Sequence, residues 1–122
     1  MIRVLIVDDS STCRMILMKC LQKLESRKFE FVMAADGQQA WEALHKAYIQ
    51  LIITDSEMPN LDGFTLVQKI KQVPMLAKTP IVVVSAMSNA KKLEFEKLGI
   101  KHVLFKPIEE DKLKACIDEL FS

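Results

Sequence analysis

Apolar runs of strand length alternate five times with segments of helical period, and no other feature of this sequence restricts its fold as tightly. The runs are Ile2 to Val7, Glu30 to Ala34, Leu51 to Thr54, Ile81 to Ser85 and His102 to Phe105. Three are nearly continuous in apolar residues, as strands covered on both faces must be. Between them, Cys13, Ile16, Leu17, Cys20, Leu21 and Leu24 recur at three- and four-residue steps and form one apolar helical stripe. Ala40, Trp41 and Leu44 begin a second stripe, Phe64, Val67 and Ile70 form a third, and Leu113, Cys116, Ile117 and Leu120 form the last. Ala90 to Leu98 is the least periodic segment, because Leu93, Phe95 and Leu98 do not share one face. Five strand–helix repeats imply an α/β fold: a five-stranded, doubly wound parallel sheet with right-handed crossovers and helices on both faces.

Start and stop signals agree with this division. Asp36-Gly37 and Asp62-Gly63 stand where helices should begin, Pro74 where one should end, and Pro80 before the fourth strand. Gly99 is placed to close the fourth helix in the left-handed conformation. A chain of 122 residues is the length of one domain, expected here to span 1–122, and needs no disulfide to hold a core. Half the residues are hydrophobic and 27% are charged, which excludes a disordered chain. The net charge of +1 gives no reason to expect nucleic acid or a membrane surface as a partner. The apolar runs are too short to span a bilayer, and the N-terminus shows neither an apolar h-region nor a cleavage site. The expected location is therefore the cytoplasm, with Cys13, Cys20 and Cys116 as reduced thiols. If the chain is the whole protein, with no DNA-binding segment after Ser122, the expected output is protein contact; a monomer is expected.

In doubly wound sheets, ligands bind beyond the carboxyl ends of the strands. There the sequence places Asp8-Asp9 after the first strand, Asp55 after the third, Ser85 after the fourth and Lys106-Pro107 after the fifth. Taken singly, each is ordinary: an Asp after a strand is commonly a loop or cap residue. Jointly they put three acids, a hydroxyl and a lysine on one rim. Two carboxylates about 5 Å apart repel by roughly 3 kcal/mol at an effective dielectric near 20. Three stay ionised together only if cations compensate. Lys106 supplies one charge, and a divalent ion would supply the rest. Few ligands, all of them oxygen, suit Mg²⁺ beside a phosphate. No Cys or His is placed to favour a softer metal. Such a rim can receive a phosphoryl group, with a carboxylate as nucleophile.

These motifs resemble the receiver domains of two-component response regulators, the CheY-like family with a flavodoxin-like (βα)5 fold. The resemblance covers the whole chain. It rests on Val4-Leu5-Ile6-Val7-Asp8-Asp9, Asp36-Gly37-Gln38-Gln39-Ala40, and Ile52-Ile53-Thr54-Asp55-Ser56-Glu57-Met58-Pro59. Leu61-Asp62-Gly63-Phe64, Pro80-Ile81-Val82-Val83-Val84-Ser85-Ala86 and Phe105-Lys106-Pro107 complete it. The strand order 2-1-3-4-5 is known for CheY and is carried over from the resemblance. So are the roles. Asp55 corresponds to the phosphoacceptor, Asp9 to the direct metal ligand, and Asp8 to the acid that reaches the metal largely through water. The main-chain carbonyl of Glu57 corresponds to a further Mg²⁺ ligand, Ser85 to the hydroxyl drawn toward the phosphoryl group, and Lys106 to the lysine that pairs with it. The Lys106-Pro107 bond corresponds to a cis peptide. The resemblance implies a bacterial phosphorelay in which a sensor histidine kinase or phosphotransfer protein is the donor and a downstream protein is the target. The chain itself would be a switch that assists its own phosphorylation and dephosphorylation, not an enzyme acting on other substrates.

Three positions depart from the family pattern. Val103 stands where the family has an aromatic, the stretch from Ser85 to Gly99 is about one residue short, and Glu57 places an acid two residues after the phosphoacceptor. A haloacid-dehalogenase-type phosphotransferase would want an Asp where Glu57 stands, together with a cap domain. A flavodoxin-type module would find Asp8-Asp9 repelling its flavin phosphate. The alternative that shares the fold is a pseudo-receiver serving as a protein-binding scaffold. Met15 and Met18 lie off the first helical stripe and are expected to be partly exposed, as donor-docking residues.

Overall fold

The computed structural model describes residues 1–25, 27–86 and 89–122. Strands and helices alternate along the chain: β1 (Ile2–Val7), α1 (Ser11–Gln22), β2 (Phe29–Ala34), α2 (Gly37–Lys46), β3 (Leu51–Asp55), α3 (Gly63–Gln72), β4 (Ile81–Ser85), α4 (Asn89–Lys97), β5 (His102–Phe105) and α5 (Glu110–Leu120). The strands pair in parallel as one sheet in the order β2-β1-β3-β4-β5. The register aligns Val7 with Thr54 and Asp55 with Val84, so the carboxyl ends of the central strands share one edge.

Alternation along each strand divides the core. Leu5, Val7, Ile52 and Val83 face α2, α3 and α4, packing with Ala40, Leu44, Leu66, Val67, Ile70 and Phe95. Val4, Ile6, Ile53, Val82 and Val84 face α1 and α5, packing with Leu17, Leu21, Leu113 and Ile117. Every residue of β3 and β4 is buried, which explains their unbroken apolar runs. Fully burying one such aliphatic side chain contributes roughly 1.5–3 kcal/mol.

The starts of α2 and α3 are capped where the sequence indicated. Asp36 Oδ1 accepts from the Gln39 amide at 2.8 Å, and Asp62 Oδ1 from the Thr65 amide at 2.7 Å. Ser10 Oγ accepts from the Cys13 amide at 3.2 Å and caps α1. Gly99 has φ +86°. The Ile100 amide bonds the Phe95 carbonyl and the Gly99 amide bonds the Glu96 carbonyl, the paired bonds of a Schellman closure.

One expectation needs correction. Ile16 carries the helical period of the core stripe yet is 46% exposed. It lies at the wall of a groove between α1 and the loop after β5, where nothing covers the end of the stripe. Met15 is exposed and Met18 half-buried, both partly exposed as expected, though Met18 also packs on the core between α1 and α5; Ile16 joins Met15 as an exposed apolar side chain of α1. The mixed face of α4 is as the sequence suggested: Phe95 is buried and Leu93 exposed. Met87 and Ser88, between β4 and α4, lie outside the described residues. Cys20 and Cys116 are buried and Cys13 half-buried, all as free thiols. Among the described residues, no helix is long and apolar enough to cross a membrane.

Candidate functional site

The parallel register delivers Asp8, Asp55, Ser85 and Lys106 to one rim because each follows or ends a strand. Asp8 is 1% exposed and Asp55 8%, while Asp9 faces solvent. Asp8, Asp9 and Asp55 each offer a carboxylate oxygen, and these oxygens lie within 4.8 Å of one another. Lys106 Nζ donates to Asp8 Oδ2 at 2.8 Å and stands 3.5 Å from Asp55 Oδ2. Among the described residues, Lys106 is the cation paired with these carboxylates and it reaches two of the three, a shortfall of positive charge that hard oxygen donors usually make up with a divalent ion.

Local bonds fix the acids. Asp8 Oδ1 accepts from the Ser10 amide at 2.9 Å, and its main-chain carbonyl accepts from the Arg14 guanidinium. Asp55 Oδ1 accepts from the Ser56 amide at 2.8 Å. Burial, and then the negative charge of Asp8, push the Asp55 carboxyl up from its ordinary pKa; Lys106 and nearby amides offset this only in part. Burial is the largest single influence on Lys106 and opposes its charge. Its hydrogen bond to Asp8 and the fields of Asp55 and Asp8 together outweigh that, so its pKa is raised.

A cavity of about 150 Å³ opens beside Asp55, lined by Ser56, Glu57, Ser85, Ala86 and Lys106. The Ser85 and Ser56 hydroxyls hydrogen-bond across it at 2.5 Å. The Glu57 side chain is largely exposed and pairs with Lys91 from the first turn of α4. Beneath the loop, Gly63 leaves no room for a side chain: a Cβ there would stand 2.0 Å from the Asp55 carbonyl oxygen. The Gly63 amide instead donates to the Ser56 carbonyl at 3.0 Å. Asn60 takes a left-handed φ of 68° and donates to the Asp36 carboxylate at 2.7 Å, tying this loop to the start of α2. The Lys106-Pro107 peptide is cis, as the resemblance implied.

Asp8, Asp9, Asp55, Glu57, Ser85 and Lys106, the site residues expected from the sequence, therefore lie together on this rim. Ser56, Arg14 and Lys91 were not foreseen. Ser56 adjoins Asp55 in a motif already noted, which was a usable signal. Arg14 reaches the Asp8 carbonyl across the turn from β1 to α1, and Lys91 reaches Glu57 across 34 positions of chain; neither contact has a pattern in the sequence.

Comparison with known proteins agrees with the architecture. The family model described as response regulator receiver domain matches residues 4–118. A probable chemotaxis protein CheY of Rhizobium etli is 31% identical over 121 residues, covering 98% of this chain and 92% of that protein. Sensor histidine kinase TmoS of Ectopseudomonas mendocina is 34% identical over 98% of this chain, but the match spans only 12% of that protein. The solved structure of chemotaxis response regulator CheY4 of Vibrio cholerae superposes with a TM-score of 0.87 at 31% identity, covering 99% of both chains. The match runs from β1 into α5 and takes in every strand end that builds the rim, so the chain belongs to the response regulator receiver domain family.

Proposed function

We propose that this receiver is a phosphorylation switch in which Asp55 accepts a phosphoryl group from a phosphohistidine of a sensor kinase or phosphotransfer protein. The observation that carries this reading is the placement of Asp55. It is a buried carboxylate at the end of a central strand, with Lys106 at 3.5 Å and two further acids around it. An Asp55 carboxylate oxygen attacks the donor phosphorus; the phosphorus–nitrogen bond breaks, and the histidine ring leaves with the electron pair. Lys106 stands where it can neutralise charge on the transferred oxygens. The Ser85 hydroxyl can exchange its bond to Ser56 for one to the phosphoryl group.

Asp8, Asp9, Asp55 and the main-chain carbonyl of Glu57 would hold Mg²⁺. The three carboxylates form a compact set of hard oxygen donors that fits this ion. When bound, the ion supplies positive charge that screens the acids and the phosphoryl oxygens.

The donor meets α1. A groove of about 460 Å³ lies between α1 and the loop after β5, lined by Cys13, Ile16, Leu17, Val84, Pro107 and Ile108 and bounded by Lys106. Met15 and Ile16, each 46% exposed, extend that apolar surface beside the phosphoacceptor. The output is a changed protein contact, the setting is the cytoplasm, and the chain turns over no other substrate.

Incubation with acetyl phosphate and millimolar Mg²⁺, followed by intact-mass measurement, tests the reading. One added phosphoryl group, lost on chelation with EDTA, is the expected result. No gain under either condition rejects the switch and leaves a binding scaffold.

A further inference from the structure

Val103, which stands where the family pattern has an aromatic, is a half-buried β-branched side chain packed against the core, with no ring to move. The structure offers another link from the phosphoacceptor to the surface. Glu57 lines the same cavity as Asp55 and Ser85, and its carboxylate pairs with Lys91 on the first turn of α4. This ion pair joins the loop after β3 to α4 across 34 positions of chain.

The charges around the cavity say what this pair does when the site is filled. Lys106 is already committed to Asp8 and Asp55. A phosphoryl group on Asp55 replaces the single carboxylate charge with about −1.5 to −2 and sets three strong acceptor oxygens in the space that Glu57 borders. Glu57 is then held beside a like charge, and Lys91 faces a stronger acceptor than a carboxylate. The Glu57–Lys91 pair is exposed on both sides, with side-chain accessibilities of 70% and 39%, so water screens it and it is easily exchanged.

We propose that Lys91 is a positioning residue that couples phosphorylation to α4: it leaves Glu57 for the phosphoryl oxygens and draws the first turn of α4 toward the site. The inference rests on Asp55 as phosphoacceptor. The two contacts differ between the unmodified and phosphorylated states, which is the differential interaction that a population shift requires.

The test compares wild type with Lys91→Gln, Lys91→Arg and Glu57→Gln. Each protein is measured for acetyl phosphate labelling by intact mass, and for backbone amide shifts on adding beryllofluoride with Mg²⁺. In wild type, amides of residues 90–97 should shift together with those of Ser85 and Lys106. In Lys91→Gln, labelling and the shifts at Ser85 and Lys106 should persist, while those across 90–97 fall at least fivefold. Lys91→Arg should restore them, since the charge returns. Glu57→Gln should move the 90–97 amides partway to their activated positions before any beryllofluoride is added. Wild-type-like α4 shifts in a fully labelled Lys91→Gln protein would overturn the role of Lys91 while leaving Asp55 as phosphoacceptor intact. Absence of labelling in wild type would overturn both.

Discussion

Lys106, just after β5, donates to Asp8, just after β1, at 2.8 Å and across 98 positions of sequence. The bond spans the rim from an edge strand to a central one, and it is the direct cationic compensation of the most buried acid in the site. Lys106→Met keeps the aliphatic stem and removes the charge, leaving Asp8 without its partner. Breaking one side of a buried pair typically costs about 3 kcal/mol. Urea denaturation without metal should show a loss of that order, and Mg²⁺ should recover part of it by binding the acids. Unchanged stability would mean that Lys106 does not carry the charge balance of the site.

The raised pKa of Asp55 makes stability depend on pH in a definite direction. The folded state holds this proton more tightly than the unfolded chain does. The stability so gained is fully present below the ordinary value of 3.8 and is lost as pH rises through the folded-state value. Asp55→Asn removes this ionisation. In metal-free buffer the variant should melt above wild type at pH 7, and its advantage should shrink steadily on acidification toward pH 4. A variant that melts below wild type at pH 7 would contradict the strained carboxylate.

Gly63 is fixed by the backbone beneath Asp55. An added Cβ would meet the Asp55 carbonyl oxygen at 2.0 Å and the Ser56 Cα at 2.9 Å, neither of which is a flexible chain end. Gly63→Ala should cost about 2–3 kcal/mol in chemical denaturation, at the upper end of overpacking effects. It should also slow acetyl phosphate labelling, because the end of β3 that carries Asp55 must shift. Wild-type stability and labelling together would show that the loop yields without consequence.

Much of this was legible from the sequence, for a physical reason. β3 and β4 are buried on both faces and so read as unbroken apolar runs, and the parallel crossovers bring their carboxyl ends together whatever the loops do. That is why Asp8, Asp9, Asp55, Ser85 and Lys106 could be named in advance. β5 lies at the sheet edge with no fully buried residue, and α4 covers only the edge of the core, so both gave weaker patterns. Ile16 shows the limit of periodicity. It reports which way a helix face points, not whether a neighbouring loop reaches far enough to cover it. The contacts of Arg14 with the Asp8 carbonyl, across the turn from β1 to α1, and of Lys91 with Glu57, across 34 positions of chain, have no pattern in the sequence.

Met15 and Ile16 form exposed apolar surface beside the rim without contributing a ligand to it. Replacing both with Glu should lower the rate of phosphotransfer from a histidine kinase that phosphorylates the wild type by at least tenfold. Labelling by acetyl phosphate, which needs no docking surface, should change by less than twofold. Equal losses with both donors would reject a docking role and point to damage at the rim.

The central claim is that Asp55 itself becomes the phosphoryl carrier, and side-by-side labelling of wild type and Asp55→Asn tests it most directly. Both proteins are incubated with acetyl phosphate and Mg²⁺ and weighed intact. Wild type should gain a single phosphoryl group, and Asp55→Asn should gain none while keeping its fold by circular dichroism. A folded Asp55→Asn protein that labels as fully as wild type would place the phosphoryl group elsewhere and contradict the account.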